Sequence, residues 1–163
     1  FSLISDEQLV LSTAFGYQLN PNLHITTDFQ KFDELTVAAA KATSVVNKVG
    51  LMEKAVELYQ GKLLSSAEGE HWLVHTANRY HFAYMSTANE LLKQLMTIHA
   101  YDLIHQYAAL ALTIAPENTK TYYWLIQSYL KQNMEEMATG ELVAARQKLP
   151  DEEYQKLLQE LKK

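Results

Sequence analysis

Pro116 and Pro150 each close one run of helical periodicity and precede another. Proline fixes its own backbone torsion and has no amide hydrogen, so it sits at the first turn of a helix or beyond its end, not in the interior. Two such stops leave room between them for a pair of helices of ordinary length. The apolar residues in the interval agree. Tyr122, Leu125, Ile126 and Tyr129 recur at steps of three and four, and so do Met134, Ala138, Leu142 and Ala145. The interval is either helix punctuation in a plain antiparallel bundle or the period of a repeat.

One class of helix–turn–helix repeat has a period of about 34 residues, and the step from Pro116 to Pro150 matches it. Such a repeat places large residues in its first helix, small ones in its second, and a proline at its close. Over 119–152 the large positions are Tyr122, Leu125, Ile126 and Tyr129, the small ones Ala138 and Ala145, and Pro150 closes. Over 85–118, Leu92 and Leu95 take late positions of the first helix. Ala108 and Ala111 are small and Pro116 closes, but Ile104 stands where the first small residue belongs. The pattern predicts an all-α fold of antiparallel helical repeats, about seven helices in all, resembling the tetratricopeptide repeat (TPR-like).

The rest of the chain departs from that register. Thr27 and Asp28 are N-cap candidates for a first helix whose apolar face is Phe32, Leu35, Ala39, Ala42, Val46 and Val49, with Gly50 as its end. A short second helix carries Met52, Ala55, Val56 and Tyr59 and stops at Gly61, and a loop follows over 62–69. The third helix runs from about Glu70 to Ile98, about twice a normal repeat helix. Four more cover about 101–114, 118–132, 134–148 and the segment after Pro150. Before all of these, "QLVLS" and "GYQLN" read as two short strands with a bend near Gly16, and Asn20-Pro21-Asn22 as a turn. A lone hairpin is marginal in water, so it is expected to pack on something.

Composition limits what this scaffold can do. A net charge of −5 argues against the chain gripping a phosphate backbone by itself, because that affinity comes from Lys and Arg. The absence of cysteine removes disulfides, thiol nucleophiles and cysteine-based zinc sites, and fits a cytoplasmic protein. No apolar run approaches the roughly 20 residues needed to span a bilayer. The chain opens at Phe1 in a stretch that reads as mid-protein, so a longer parent polypeptide is expected.

Three segments in order resemble one family. "TTDFQKFDEL" opens a helix with Asp28, Phe29 and Phe32. "AVELYQGKLL" supplies Ala55, Leu58, Tyr59, Gly61 and Leu64. Trp72 opens a long helix in "EHWLVHTANRYHFAY". Together with the repeats that follow, they resemble the bacterial transcriptional activator domain of regulators of the antibiotic-regulatory-protein (SARP) type, over about residues 25–163. Arg79, seven residues after Trp72, lies farther along than the arginine of that pattern. In that family the helical domain follows a winged-helix DNA-binding domain whose wing ends in a "G-Y-x-L" strand, matched here by Gly16, Tyr17 and Leu19. The resemblance implies that residues 1–24 are the last hairpin of a truncated winged helix and that 25–163 form the helical domain. It also implies that the recognition helix lies before Phe1. The implied function is protein interaction and oligomerisation that positions the DNA-binding domain. The implied partners are a second copy in a homodimer, a regulatory domain or the transcription machinery, with DNA reached only through the winged helix. A free-standing TPR-like adaptor for a partner's peptide is the alternative.

No catalytic residue, cofactor or metal is assigned. His71 and His75 have a spacing that can place two imidazoles on one ion, but no third ligand is obvious and a solvated helix face explains them. His99, Asp102 and His105 invite a catalytic reading, but they sit at a helix junction with no nucleophile pattern, which favours surface or capping roles. Trp124 and Tyr123 are the candidates for protein interaction. Trp124 lies off the main apolar face and could line a concave groove, although packing between repeats would also account for it.

Overall fold

The computed structural model describes residues 9–23, 26–61 and 71–162. The first eight residues, Leu64 and the loop expected over 62–69 lie outside them, as do the side chains of His71, Trp72 and Leu73. Two strands, β1 (Val10–Thr13) and β2 (Gly16–Leu19), precede seven helices: α1 (Asp28–Lys41), α2 (Val45–Leu58), α3 (His71–Thr97), α4 (Tyr101–Ile114), α5 (Thr119–Lys131), α6 (Glu135–Lys148) and α7 (Asp151–Leu161). Consecutive helices pack on one another, and α3 also packs on α5 and α5 on α7. The odd helices α3, α5 and α7 therefore form one layer, with α4 and α6 against it, as in a helical-repeat solenoid.

The period marked by the prolines is visible in the core. Ala88, Leu91, Leu92 and Leu95 of α3 are buried, and so are Tyr122, Leu125, Ile126 and Tyr129 of α5, each one period later. On the second helices, Ile104 and Ala111 correspond to Ala138 and Ala145, and all four are buried. The departure at Ile104 is thus accommodated inside the core, where α3 has Ala88 at the position that α5 fills with Tyr122.

The turns repeat as well. His99 and Asn133, again one period apart, are the non-glycine residues with positive φ among those described, at 58° and 59°. After α3, the amide of Ala100 donates to Leu95 O at 3.0 Å and that of His99 to Met96 O at 3.2 Å. After α5, Met134 donates to Tyr129 O at 2.9 Å and Asn133 to Leu130 O at 3.1 Å. Both ends are Schellman motifs with a left-handed residue after the C-cap, which turns the chain sharply into the second helix. After Pro116, α5 starts where a side chain caps it: Asn118 Oδ1 accepts from the Thr121 amide at 2.9 Å.

At the other end of the array, Thr27 and Gln30 form a capping box. The Gln30 amide donates to Thr27 Oγ1 at 3.2 Å, and the Thr27 amide donates to Gln30 Oε1 at 2.9 Å. One expectation is corrected here. The first helix does not run to Gly50. It ends at Lys41, a break over 42–44 turns the chain, and Gly50 lies inside α2. An added Cβ at Gly50 would meet nothing within 4 Å, and its φ is not positive, so it acts as an ordinary helical residue of low propensity. The second helix also ends before its expected stop: α2 finishes at Leu58 with Tyr59 as an extended C-cap, and Gly61, at φ 126°, lies three residues beyond Leu58.

The first half of α3 belongs to this end. Tyr80 packs against Phe29 and Phe32, with ring centroids 4.5 and 6.2 Å away, and Tyr84 stacks on Tyr59 at 4.5 Å. Burial and the neighbouring Tyr59 push the Tyr84 hydroxyl up to about 12, so it stays protonated.

Two measurements check this account. Ala145→Leu forces methylenes into the closed α5–α6 contact and is expected to lower stability by roughly 1–3 kcal/mol, whereas Val143→Ala, 55% exposed on the same helix, changes it by less than about 0.5 kcal/mol. At the left-handed turn, His99→Gly is expected to stabilise by up to about 1 kcal/mol and His99→Val to destabilise by about 1–2 kcal/mol. Thermal melts of the four variants read both effects.

Candidate functional site

One side of the odd-helix layer holds a cleft of about 810 Å3. Its α3 wall is Ser86, Asn89, Glu90 and Lys93, its α5 wall Lys120, Tyr123 and Trp124, and α7 adds Glu153 and Glu160. Glu117 and Asn118 at the α4–α5 turn complete it, with Thr119. The repeat explains the arrangement: Ser86, Asn89 and Glu90 precede Lys120, Tyr123 and Trp124 by one period each. Equivalent faces of successive helices therefore line one surface. A smaller hollow of about 190 Å3 between α1, α2 and α3 shares Ser86 and Glu90 and extends it toward Thr36 and Ala40.

Tyr123 and Trp124 are half-buried and pack against the core while facing the cleft, with their rings edge to face at 4.9 Å and 75°. Trp124 thus packs on the core with one part of its ring system and lines the cleft with another. The cleft's charges fall into two sets. Lys48 Nζ donates to Glu90 Oε1 at 2.8 Å, and Gln94 Nε2 donates to the same oxygen at 2.8 Å. Burial alone would raise the Glu90 carboxyl, but these donors, helped by the field of Lys93, prevail and hold it below its ordinary value. Glu153 takes Lys156 Nζ at 2.7 Å and Thr119 Oγ1 at 3.1 Å. Thr119 and Glu153 are again one period apart, so this bond ties the first turn of α5 to that of α7. The side chains of Lys93 and Lys120 are exposed and make no ion pair or hydrogen bond among the described residues. Thr121 Oγ1 donates its one hydrogen to Asn118 Oδ1 at 3.1 Å and lies 3.4 Å from Asn89 Oδ1.

The histidines of the α3–α4 junction do not converge. His99 occupies the left-handed turn and, with Tyr101, Asp102 and Gln132, lines a depression of about 260 Å3. His105 turns to α5 instead, stacking on Tyr129 at 4.3 Å with its Nε2 3.0 Å from Ser128 Oγ. Ser128 is fully buried and its hydroxyl donates to Leu125 O at 2.7 Å. Gln132 Nε2 lies 3.5 Å from the same His105 nitrogen. These contacts tie α4 to α5. His75 is exposed on α3. Among the described residues no group of three or more His, Cys, Asp or Glu is placed to hold a metal ion, and no helix is long and apolar enough to cross a membrane.

Burial holds His105 below its ordinary 6.5, against the opposing pull of Asp102. A histidine whose folded value is depressed adds stability that is present above its unfolded value and lost as pH falls through the folded one. The melting temperature should therefore drop on acidification from about pH 7.5 to about pH 5, and His105→Gln should flatten that drop. Paired melts of wild type and variant at the two pH values read the difference.

Comparison with curated proteins and with solved structures returns no match. One family model does match, the bacterial transcriptional activator domain, over residues 27–163. That span takes in α1 through α7 together with the cleft between α3, α5 and α7. The chain belongs to the bacterial transcriptional activator domain family, a regulatory family and not one of enzymes.

Proposed function

We propose that this chain is the protein-interaction and oligomerisation domain of a cytoplasmic SARP-type regulator, in which residues 25–163 position a winged-helix DNA-binding domain whose last hairpin is residues 1–24. The hairpin carries the argument. Val10 lies opposite Leu19 and Ser12 opposite Tyr17, so Val10, Tyr17 and Leu19 share one face of the two-stranded sheet. They are 45%, 84% and 59% exposed. A two-stranded sheet with an open apolar face is marginal in water, and a domain packed on that face supplies what it lacks. The family match begins at residue 27, just after the hairpin, which agrees with a boundary there.

In this reading the repeats are the contact scaffold for a second subunit, a regulatory domain or the transcription machinery, with Trp124 and Tyr123 as anchors. DNA is reached through the winged helix alone. The cleft itself favours a second reading, a free-standing adaptor that binds a partner's peptide and has no DNA-binding neighbour.

The coding sequence upstream of Phe1 separates the two. A basic winged helix is expected there, and its absence removes the first reading in favour of the second. In the full polypeptide, Tyr17→Ser with Leu19→Ser should weaken gel-shift binding to DNA by about tenfold or more while leaving the helical domain folded.

A further inference from the structure

Away from the cleft, Glu141 of α6 is half-buried and has neither an ion pair nor a hydrogen bond among the described residues. The other half-buried carboxylates there are engaged: Asp33 by Tyr80, Glu53 by Tyr107, Glu90 by Lys48 and Glu153 by Lys156. No cation acts on Glu141, and burial holds its carboxyl above the ordinary value. Two hydroxyls of α5 share its surroundings. Tyr122 and Tyr129 are only 4% and 9% exposed, yet neither hydroxyl has a hydrogen-bond partner among the described residues. Burial, and then the charge of Glu141, raises both of them. Neither is sealed in: among the described residues Tyr84 carries the enclosed hydroxyl without a partner. The repeat marks the same place. One period before Glu141 stands Tyr107, which is buried and donates to Glu57 of α2 at 2.9 Å. Glu141 occupies the equivalent position with no such partner. Met134, Met137 and Ala144 lie along its flank of α6 at steps of three and four, both methionines exposed. The cation on that flank, Lys148, is seven residues on, about 10 Å along the axis.

We infer that Glu141, Tyr122 and Tyr129 form a receptor for one Lys or Arg side chain of a partner protein. A half-buried anion beside two hydroxyl oxygens without partners offers acceptors and lacks a cation, and an ammonium or guanidinium supplies charge and several N–H donors together. The carboxylate pairs with the cation, and the hydroxyl oxygens accept from its remaining N–H groups. Met134 and Met137 take apolar residues beside it, area that a free amine would leave open, so the cation comes from a protein. The inference rests on the reading of the repeats as a protein-contact scaffold and is independent of the DNA-binding neighbour, so the upstream sequence and the binding test fail separately.

The test is an NMR titration of the 163-residue chain with acetyl-Leu-Arg-Leu-amide and its neutral twin acetyl-Leu-Gln-Leu-amide, read on the ring signals of Tyr122 and Tyr129. The arginine peptide should bind about tenfold or more tighter than its twin. Glu141→Gln should abolish that difference, with a melting temperature no lower than wild type because a desolvated charge has been removed. Tyr122→Phe with Tyr129→Phe keeps both rings in the core and should weaken the arginine peptide by about threefold or more. The inference is overturned if the two peptides bind alike, if the preference survives Glu141→Gln, or if loss of the two hydroxyls changes nothing. It is equally overturned if acetyl-arginine-amide binds as tightly as the tripeptide, because the ligand is then a free cation and not a protein side chain.

Discussion

The rest of the fold depends on the unbroken length of α3. At 27 residues it spans about 40 Å, at about 1.5 Å per residue. Its first half is held by rings: Tyr80 against Phe29 and Phe32, and Tyr84 stacked on Tyr59. Its second half buries Leu91, Leu92 and Leu95 completely. One helix is therefore part of two packing systems, an irregular one with α1 and α2 and a periodic one with α4 and α5. A break near Met85 would leave two small cores joined by a linker. Continuity makes them one body, because bending a helix at a residue packed on both sides disrupts both cores at once. Polar bonds reinforce the join. Lys48 of α2 reaches Glu90 of α3 at 2.8 Å, and Tyr107 of α4 donates to Glu57 of α2 at 2.9 Å. These partly buried bonds span elements that are far apart in sequence, unlike the exposed pairs within α1 and α7, which add little.

Legibility in the sequence followed the chemistry of the stops. The ends of α4 and α6 were legible because Pro116 and Pro150 follow their C-caps, whereas the left-handed turns at His99 and Asn133 that follow α3 and α5 contain no glycine to mark them. The α1–α2 turn was not legible. Ala42, Thr43 and Ser44 contain no proline or glycine, and Val46 and Val49 resume the apolar rhythm at the phase where Ala39 and Ala42 left it. Gly50 then drew the boundary to itself, although a glycine ends a helix only where a positive φ is needed, and the φ of Gly50 is not positive. The three-segment resemblance was carried by residues that pack, Phe29, Phe32 and Tyr59 among them, and the family match over 27–163 agrees with it.

The cleft was half legible. Trp124 and Tyr123 stood out because they fall off the apolar stripe of α5, a property of one helix. Lys93, Asn89 and Glu90 did not, because nothing within α3 marks them as different from a solvated face. The signal was in the period. Stepping back one repeat from Lys120, Tyr123 and Trp124 lands on Ser86, Asn89 and Glu90, the other wall. His99, Asp102 and His105 invited a catalytic reading that their place at a helix junction outweighed, and the structure separates the two histidines: His99 lies in the turn before α4 and His105 faces the α5 core.

Register also separates what must stay from what is free to change. The core positions of α3 and α5 keep apolar character across the period, Ala88 and Tyr122, Leu91 and Leu125, Leu92 and Ile126, Leu95 and Tyr129. The cleft positions keep none: Ser86 becomes Lys120, Asn89 becomes Tyr123, Glu90 becomes Trp124. Stacking requires the first set to bury area in every unit, since a repeat cannot hide its apolar face alone. The demand is weaker on the second set, whose side chains are exposed or half-buried along the cleft. A difference between equivalent positions there costs the array less, and that freedom is what allows a repetitive scaffold to present a surface that is not itself repetitive.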